Sequence, residues 1–100
     1  MSKIVRCRVL DAKDNVGIVL EQTRQGDLLS YESPGSGVNP ICAFEDIPAY
    51  HKYALKTLDQ GDNVFKYGQI IGRATMNIQA GQHVHSHNLT SMREDIANNQ

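Results

Sequence analysis

Glycine is the strongest constraint on what this chain can fold into. Gly17, Gly26, Gly35, Gly37, Gly61, Gly68, Gly72 and Gly81 interrupt it so often that no long helical window survives. Between them the patterning is that of strands. In Ile4–Val9, Val5, Cys7 and Val9 alternate with Arg6 and Arg8, a half-buried strand pattern. Val16–Leu20 is a short apolar run after the turn signal Asp14-Asn15. Leu28–Tyr31, Val64–Tyr67, Ile70-Ile71 and His83–His87 read as further strands, and Tyr53–Leu58 as an extended segment or a short helix. Pro34–Pro40 is a loop by composition, and Met92–Gln100 is a polar tail.

A weak internal echo accompanies these turns. Gln25-Gly26-Asp27, Gln60-Gly61-Asp62 and Ala80-Gly81-Gln82 each place a glycine three residues ahead of an apolar residue, Leu29, Val64 and Val84. Short strands joined by tight turns suit a compact, mainly β fold. At 100 residues the chain is one small domain. Ten basic and 11 acidic residues give a net charge of −1, which argues against a polyanion binder and so against nucleic acid as a partner. An apolar share of 40% argues against disorder. No apolar run reaches membrane-spanning length, and the first residues lack an apolar signal core. The expectation is a cytoplasmic protein, without a membrane partner, with Cys7 and Cys42 reduced and mostly buried.

The histidines are distributed unevenly: three of four fall within Gly81-Gln82-His83-Val84-His85-Ser86-His87-Asn88. On a strand, His83, His85 and His87 point one way. Neutral imidazole is a good ligand for zinc, iron or manganese, and two histidines at i and i+2 reach one ion. Three on a flat strand do not, unless it bends. One or two of them serve as ligands in one reading; a surface strand of partly stacked rings is the other. A cupin site is disfavoured by the glycine spacing, by the lack of a following glutamate and by the length. His51-Lys52 pairs an acid or base with a cation for a carboxylate, or is a solvated pair. Lys66 of Lys66-Tyr67-Gly68 binds an anion or faces solvent, while Asp14, Asp59 and Asp62 read as turn residues.

Together these motifs resemble the amino-terminal domain of the altronate dehydratase family, which includes galactarate dehydratase and the sulfolactate sulfo-lyase small subunit. The resemblance rests on Gly61 to Gly72 with its Lys-Tyr-Gly, on Gly81 to Asn88 with its His-Val-His-x-His-Asn, on Asp14-Asn15-Val16, and on His51-Lys52 with Ala54-Leu55. It covers most of residues 4–92. It implies a SAF domain, a β-clip fold, over residues 1–92, with 93–100 a tail or linker. It also implies β-elimination from sugar acids by a carbon–oxygen lyase inactive without a larger subunit or carboxyl-terminal domain. The divalent metal, iron or manganese, would be held mainly with that partner, and an oligomer is compatible. On this resemblance His51, His85 and His87 are expected to be catalytic. Lys52, Lys66 and Asn88 are expected to bind substrate, with Asn88 alternatively capping the strand end. One or two of His83, His85 and His87 would bind metal. The alternatives are a non-catalytic SAF lid or a sulfolactate sulfo-lyase small subunit. Tyr50 stands where the family has glycine, so a different local loop is expected there, and the stretch 33–44 also departs from the pattern.

Overall fold

The computed structural model describes residues 3–33, 37, 38 and 40–91. The polar tail and part of the Pro34–Pro40 loop therefore lie outside the described residues. No helix occurs among those described, and the mainly β expectation holds. Eleven short strands follow one another: β1 Ile4–Arg8, β2 Val16–Val19, β3 Leu28–Ser30, β4 Glu32–Ser33, β5 Gly37–Val38, β6 Ile41–Cys42, β7 Lys52–Ala54, β8 Asn63–Lys66, β9 Gln69–Ala74, β10 His83–Val84 and β11 Leu89–Ser91. A six-stranded sheet has the order β10-β7-β2-β1-β3-β6, a three-stranded one β11-β9-β8, and β4 pairs with β5. All pairings are antiparallel except β1 with β3. Tyr53–Leu58, left open between strand and helix, is strand only at its start.

The glycine echo is a genuine structural repeat, and it has four copies. Residues 19–27, 43–51, 54–62 and 74–82 follow one plan. A small or β-branched residue opens each unit, a bridging residue follows four positions on, and a turn closes it. The turns bond Asp27 N–H to Arg24 C=O, His51 N–H to Pro48 C=O, Asp62 N–H to Asp59 C=O and Gln82 N–H to Gln79 C=O. Their third residues, Gly26, Tyr50, Gly61 and Gly81, all have positive φ, as a type II turn requires.

The units interlock in two pairs. In the first, Thr23 bridges Ile47, Gly26 N–H donates to Ala43 C=O, and Tyr50 N–H donates to Val19 C=O. In the second, Leu58 bridges Ile78, Gly61 N–H donates to Ala74 C=O, and Gly81 N–H donates to Ala54 C=O. Each pair builds its own core. Val5, Val19, Leu29, Ala43, Ile47 and Tyr53 pack around the first. Val16, Ala54, Leu58, Val64, Ala74, Ile78 and Val84 pack around the second. The pairs meet along β2, β7 and β10. There the buried Tyr53 ring lies across Gly17, where a Cβ would come within 2.8 Å of the ring. Any side chain at 17 displaces that ring, so close-packing of the seam depends on its absence.

Candidate functional site

The histidines gather at this seam. His51 closes the turn of the second unit and leads into β7, while His83 leaves the fourth unit and opens β10. Antiparallel pairing sets His83 opposite Tyr53 and Val84 opposite Lys52. His51 Nδ1 and His83 Nε2 are thereby brought to 2.9 Å. The His51 and His85 rings stack at 4.5 Å, those of His83 and His85 at 5.6 Å, and those of His83 and His87 meet tilted at 5.3 Å.

Two expectations need correction. His83–His87 is not one strand: pairing stops at Val84, and residues 85–88 form a turn. The bend that three convergent histidines require is therefore present, and Asn88 makes it. Asn88 is fully buried. Its Oδ1 accepts from His85 N–H at 2.9 Å, and its Nδ2 donates to His83 C=O at 2.8 Å. A side chain enclosed and engaged in this way caps the strand end and has no surface for a substrate hydroxyl.

The convergent set also differs from the one that spacing suggests. Donor nitrogens of His51, His83 and His85 lie within 4.8 Å of one another, while His87 flanks the His83 ring. Glu45 was not legible as a neighbour, because no local pattern links it to the histidines. Its Oε2 accepts the His83 backbone N–H at 3.1 Å. Burial pushes the His83 imidazole below its usual range, helped by His51 and His87 and opposed by Glu45. His85 is pushed down by desolvation first, then by His51, Lys52 and His87. Both shifts favour neutral imidazole, the form that binds metal or accepts a proton. Three convergent imidazoles, with a carboxylate nearby, match in type and number a divalent transition-metal cation such as iron, manganese or zinc.

Lys52 is half-buried, and burial together with the charge of Lys66 lowers its pKa. The Lys66 ammonium sits 5.1 Å from the Tyr67 ring centre. Neither lysine has an acidic partner among the described residues, where Lys3–Glu21 is the ion pair formed. Two neighbouring cations without a counterion make a receptive place for an anion. Tyr67 is exposed and occupies a turn, not a core position. Cys7 and Cys42 are both free, and Cys42 is exposed, contrary to expectation.

The histidine-bearing turn departs from its three counterparts in two ways. In those, the last residue accepts from the first: Arg24 N–H to Asp27 Oδ2 (2.9 Å), Asp59 N–H to Asp62 Oδ2 (2.8 Å) and Gln79 N–H to Gln82 Oε1 (3.0 Å). Pro48 has no N–H to offer, so position 51 is released from that duty and carries an imidazole instead. The second departure is Tyr50, whose φ of 68° reproduces the conformation of the glycines. The turn expected to differ therefore keeps its shape and bears the strain. A non-glycine residue in this region costs roughly 1–2 kcal/mol. Tyr50→Gly is expected to recover about 1 kcal/mol of this, offset by glycine's greater unfolded entropy, and to raise Tm by several degrees in thermal denaturation. An unchanged or lower Tm would show that the exposed ring contributes stabilising contacts.

Comparison with known proteins adds three findings. The family model for the altronate/galactarate dehydratase SAF domain matches residues 6–92. The chain is 34% identical over 87 residues to altronate dehydratase of Escherichia coli (strain K12), covering 87% of this chain and 17% of that protein. It is also 34% identical over 87 residues to (2R)-sulfolactate sulfo-lyase subunit alpha of Chromohalobacter salexigens, covering 85% of this chain and 93% of that one. The chain thus spans about a sixth of the dehydratase and nearly all of the sulfo-lyase subunit.

Proposed function

The chain belongs to the altronate/galactarate dehydratase SAF domain family, and from that premise we propose that it supplies the imidazole-rich half of a hydro-lyase active site acting on sugar acids. A larger dehydratase subunit or carboxyl-terminal domain supplies the rest. The observation that carries this reading is the convergence of His51, His83 and His85 beside two cations without counterions. Residues 1–92 form the SAF domain and 93–100 a tail or linker, in a cytoplasmic enzyme that is inactive as the isolated chain.

Dehydration removes the proton on the carbon next to the carboxylate and expels hydroxide from the following carbon. The enol that results becomes a 2-keto-3-deoxy acid, and water leaves. Lys52 and Lys66 hold the carboxylate. His85, exposed and stacked on His51, accepts the carbon-bound proton in its neutral form. The His51–His83 pair, when it carries one added proton across its 2.9 Å contact, passes that proton to the leaving hydroxide and returns to its neutral form. His87 lies outside this exchange and flanks the His83 ring. The divalent cation, iron or manganese, would be held mainly by the larger partner, with one imidazole of the cluster as a ligand while the others move protons, and when bound it would supply Lewis-acid stabilisation of the enediolate oxygen.

The match to nearly the whole sulfo-lyase subunit supports a second reading, a separate small subunit eliminating sulfite from a sulfonated hydroxy acid. Assaying the chain alone and with its large partner, on altronate, galactarate and sulfolactate with Fe(II) or Mn(II), separates them. The dehydratase reading expects 2-keto-3-deoxy acid from the complex and none from the chain alone. Sulfite release favours the second reading. Undiminished turnover without the four imidazoles would leave a non-catalytic lid.

A further inference from the structure

Asp14 and Asn15 lie far in sequence from the lysines, yet they grip the hairpin that carries one of them. β8 and β9 are joined at Lys66↔Gln69 by a two-residue turn in which Tyr67 and Gly68 both have positive φ, at 55° and 80°. That is a type I′ turn, most at ease with Asn-Gly, and tyrosine at its first position is a strained choice. Asp14 Oδ1 accepts the Gly68 N–H at 2.8 Å, while its other oxygen accepts from Leu10 and Asp11 at 3.3 Å each. Asn15, buried at 6% exposure, donates to Asn63 C=O at 2.9 Å and accepts from Phe65 N–H at 2.7 Å. Its backbone N–H donates to Phe65 C=O, and its carbonyl accepts from Leu55 N–H. Phe65 and Gly68, which bracket Lys66 and Tyr67, are therefore both fixed to the segment leading into β2. Through Leu55 that segment is fixed in turn to the end of β7, the strand bearing Lys52.

This arrangement opposes a repulsion. Lys52 and Lys66 face each other's charge without a carboxylate partner among the described residues. Free side chains on a loose hairpin would separate. We propose that Asp14 and Asn15 are positioning residues for Lys66, fixing the hairpin that presents it to a substrate carboxylate. This inference rests on the substrate-binding reading of Lys66 given above. Asp14 itself does not touch the substrate: its effect passes through the Gly68 N–H.

The test is a double-mutant cycle in the assembled enzyme, with KM and kcat measured separately and Tm recorded for each variant. Lys66→Ala is expected to raise KM about 10-fold, in keeping with loss of one charge-assisted bond. Asp14→Ala is expected to raise KM about three- to ten-fold with kcat within about two-fold of wild type. The double variant is expected to match Lys66→Ala alone, because coupled residues are not additive. Asp14→Asn, which keeps an oxygen for Gly68 N–H, is expected to restore KM. If Asp14→Ala does not fold, Asp14→Ser takes its place in the cycle. Additive KM effects, or a loss of folded fraction with KM unchanged, would overturn the positioning role alone. A KM unaffected by Lys66→Ala would overturn the lysine's substrate role and the inference with it.

Discussion

Turnover of the assembled enzyme is expected to fall by about 10²–10⁴-fold when His51 or His85 is replaced by alanine, the range for losing a placed acid or base. The two losses should not multiply, since the rings are stacked and act in one cluster. Metal content gives an independent readout: either variant removes one of three convergent nitrogens and should lower Mn(II) or Zn(II) affinity. His87→Ala serves as the contrast, because its ring flanks His83 without joining the convergent set, and it should retain metal. Wild-type turnover by both His51→Ala and His85→Ala in an intact complex would sink the catalytic reading of both residues.

Asn88→Ala should produce the largest change in stability. It strands the partly buried His83 carbonyl and His85 N–H and empties the enclosed site of the Asn88 side chain, and each group left unpaired costs about 1–3 kcal/mol when burial keeps water from it. A total near 3 kcal/mol lowers Tm by roughly 12–24 °C in a domain of this size. The substitution also frees His85, so metal affinity should fall in whatever fraction remains folded. Asn88→Asp keeps the acceptor for His85 N–H but sets a carboxylate oxygen against the His83 carbonyl, so it should not rescue. Circular dichroism melts decide the matter: a Tm within about 3 °C of wild type would show that the turn is held by something else.

Much of the fold was legible because its devices are local. Alternation in β1 and the glycine turns announce themselves within a few residues. The turn of the second unit did not, because Tyr50 hides a conformation that glycine advertises. The imidazole cluster was half legible. Its members at 83, 85 and 87 are close in sequence, but the reason they converge is a buried Asn88, whose bonds to the backbone no alternation rule conveys. His51 joins through a side-chain contact spanning 32 residues of sequence, and Glu45 through a hydrogen bond spanning 38. Contacts of that span depend on topology, which a single sequence does not display.

The interlocking of the four units bears on how the molecule acquires its chemistry. Each unit fastens to another some twenty residues away, and the two pairs close on each other along β2, β7 and β10. Pairings of such long range are slow to form, because loop closure precedes any stabilising contact. The histidines at the seam converge only where β10 has paired with β7. A partly folded chain carries the same imidazoles scattered, without a common focus. Such a chain lacks the three convergent nitrogens of the folded cluster, so its imidazoles offer a cation only single, separate donors.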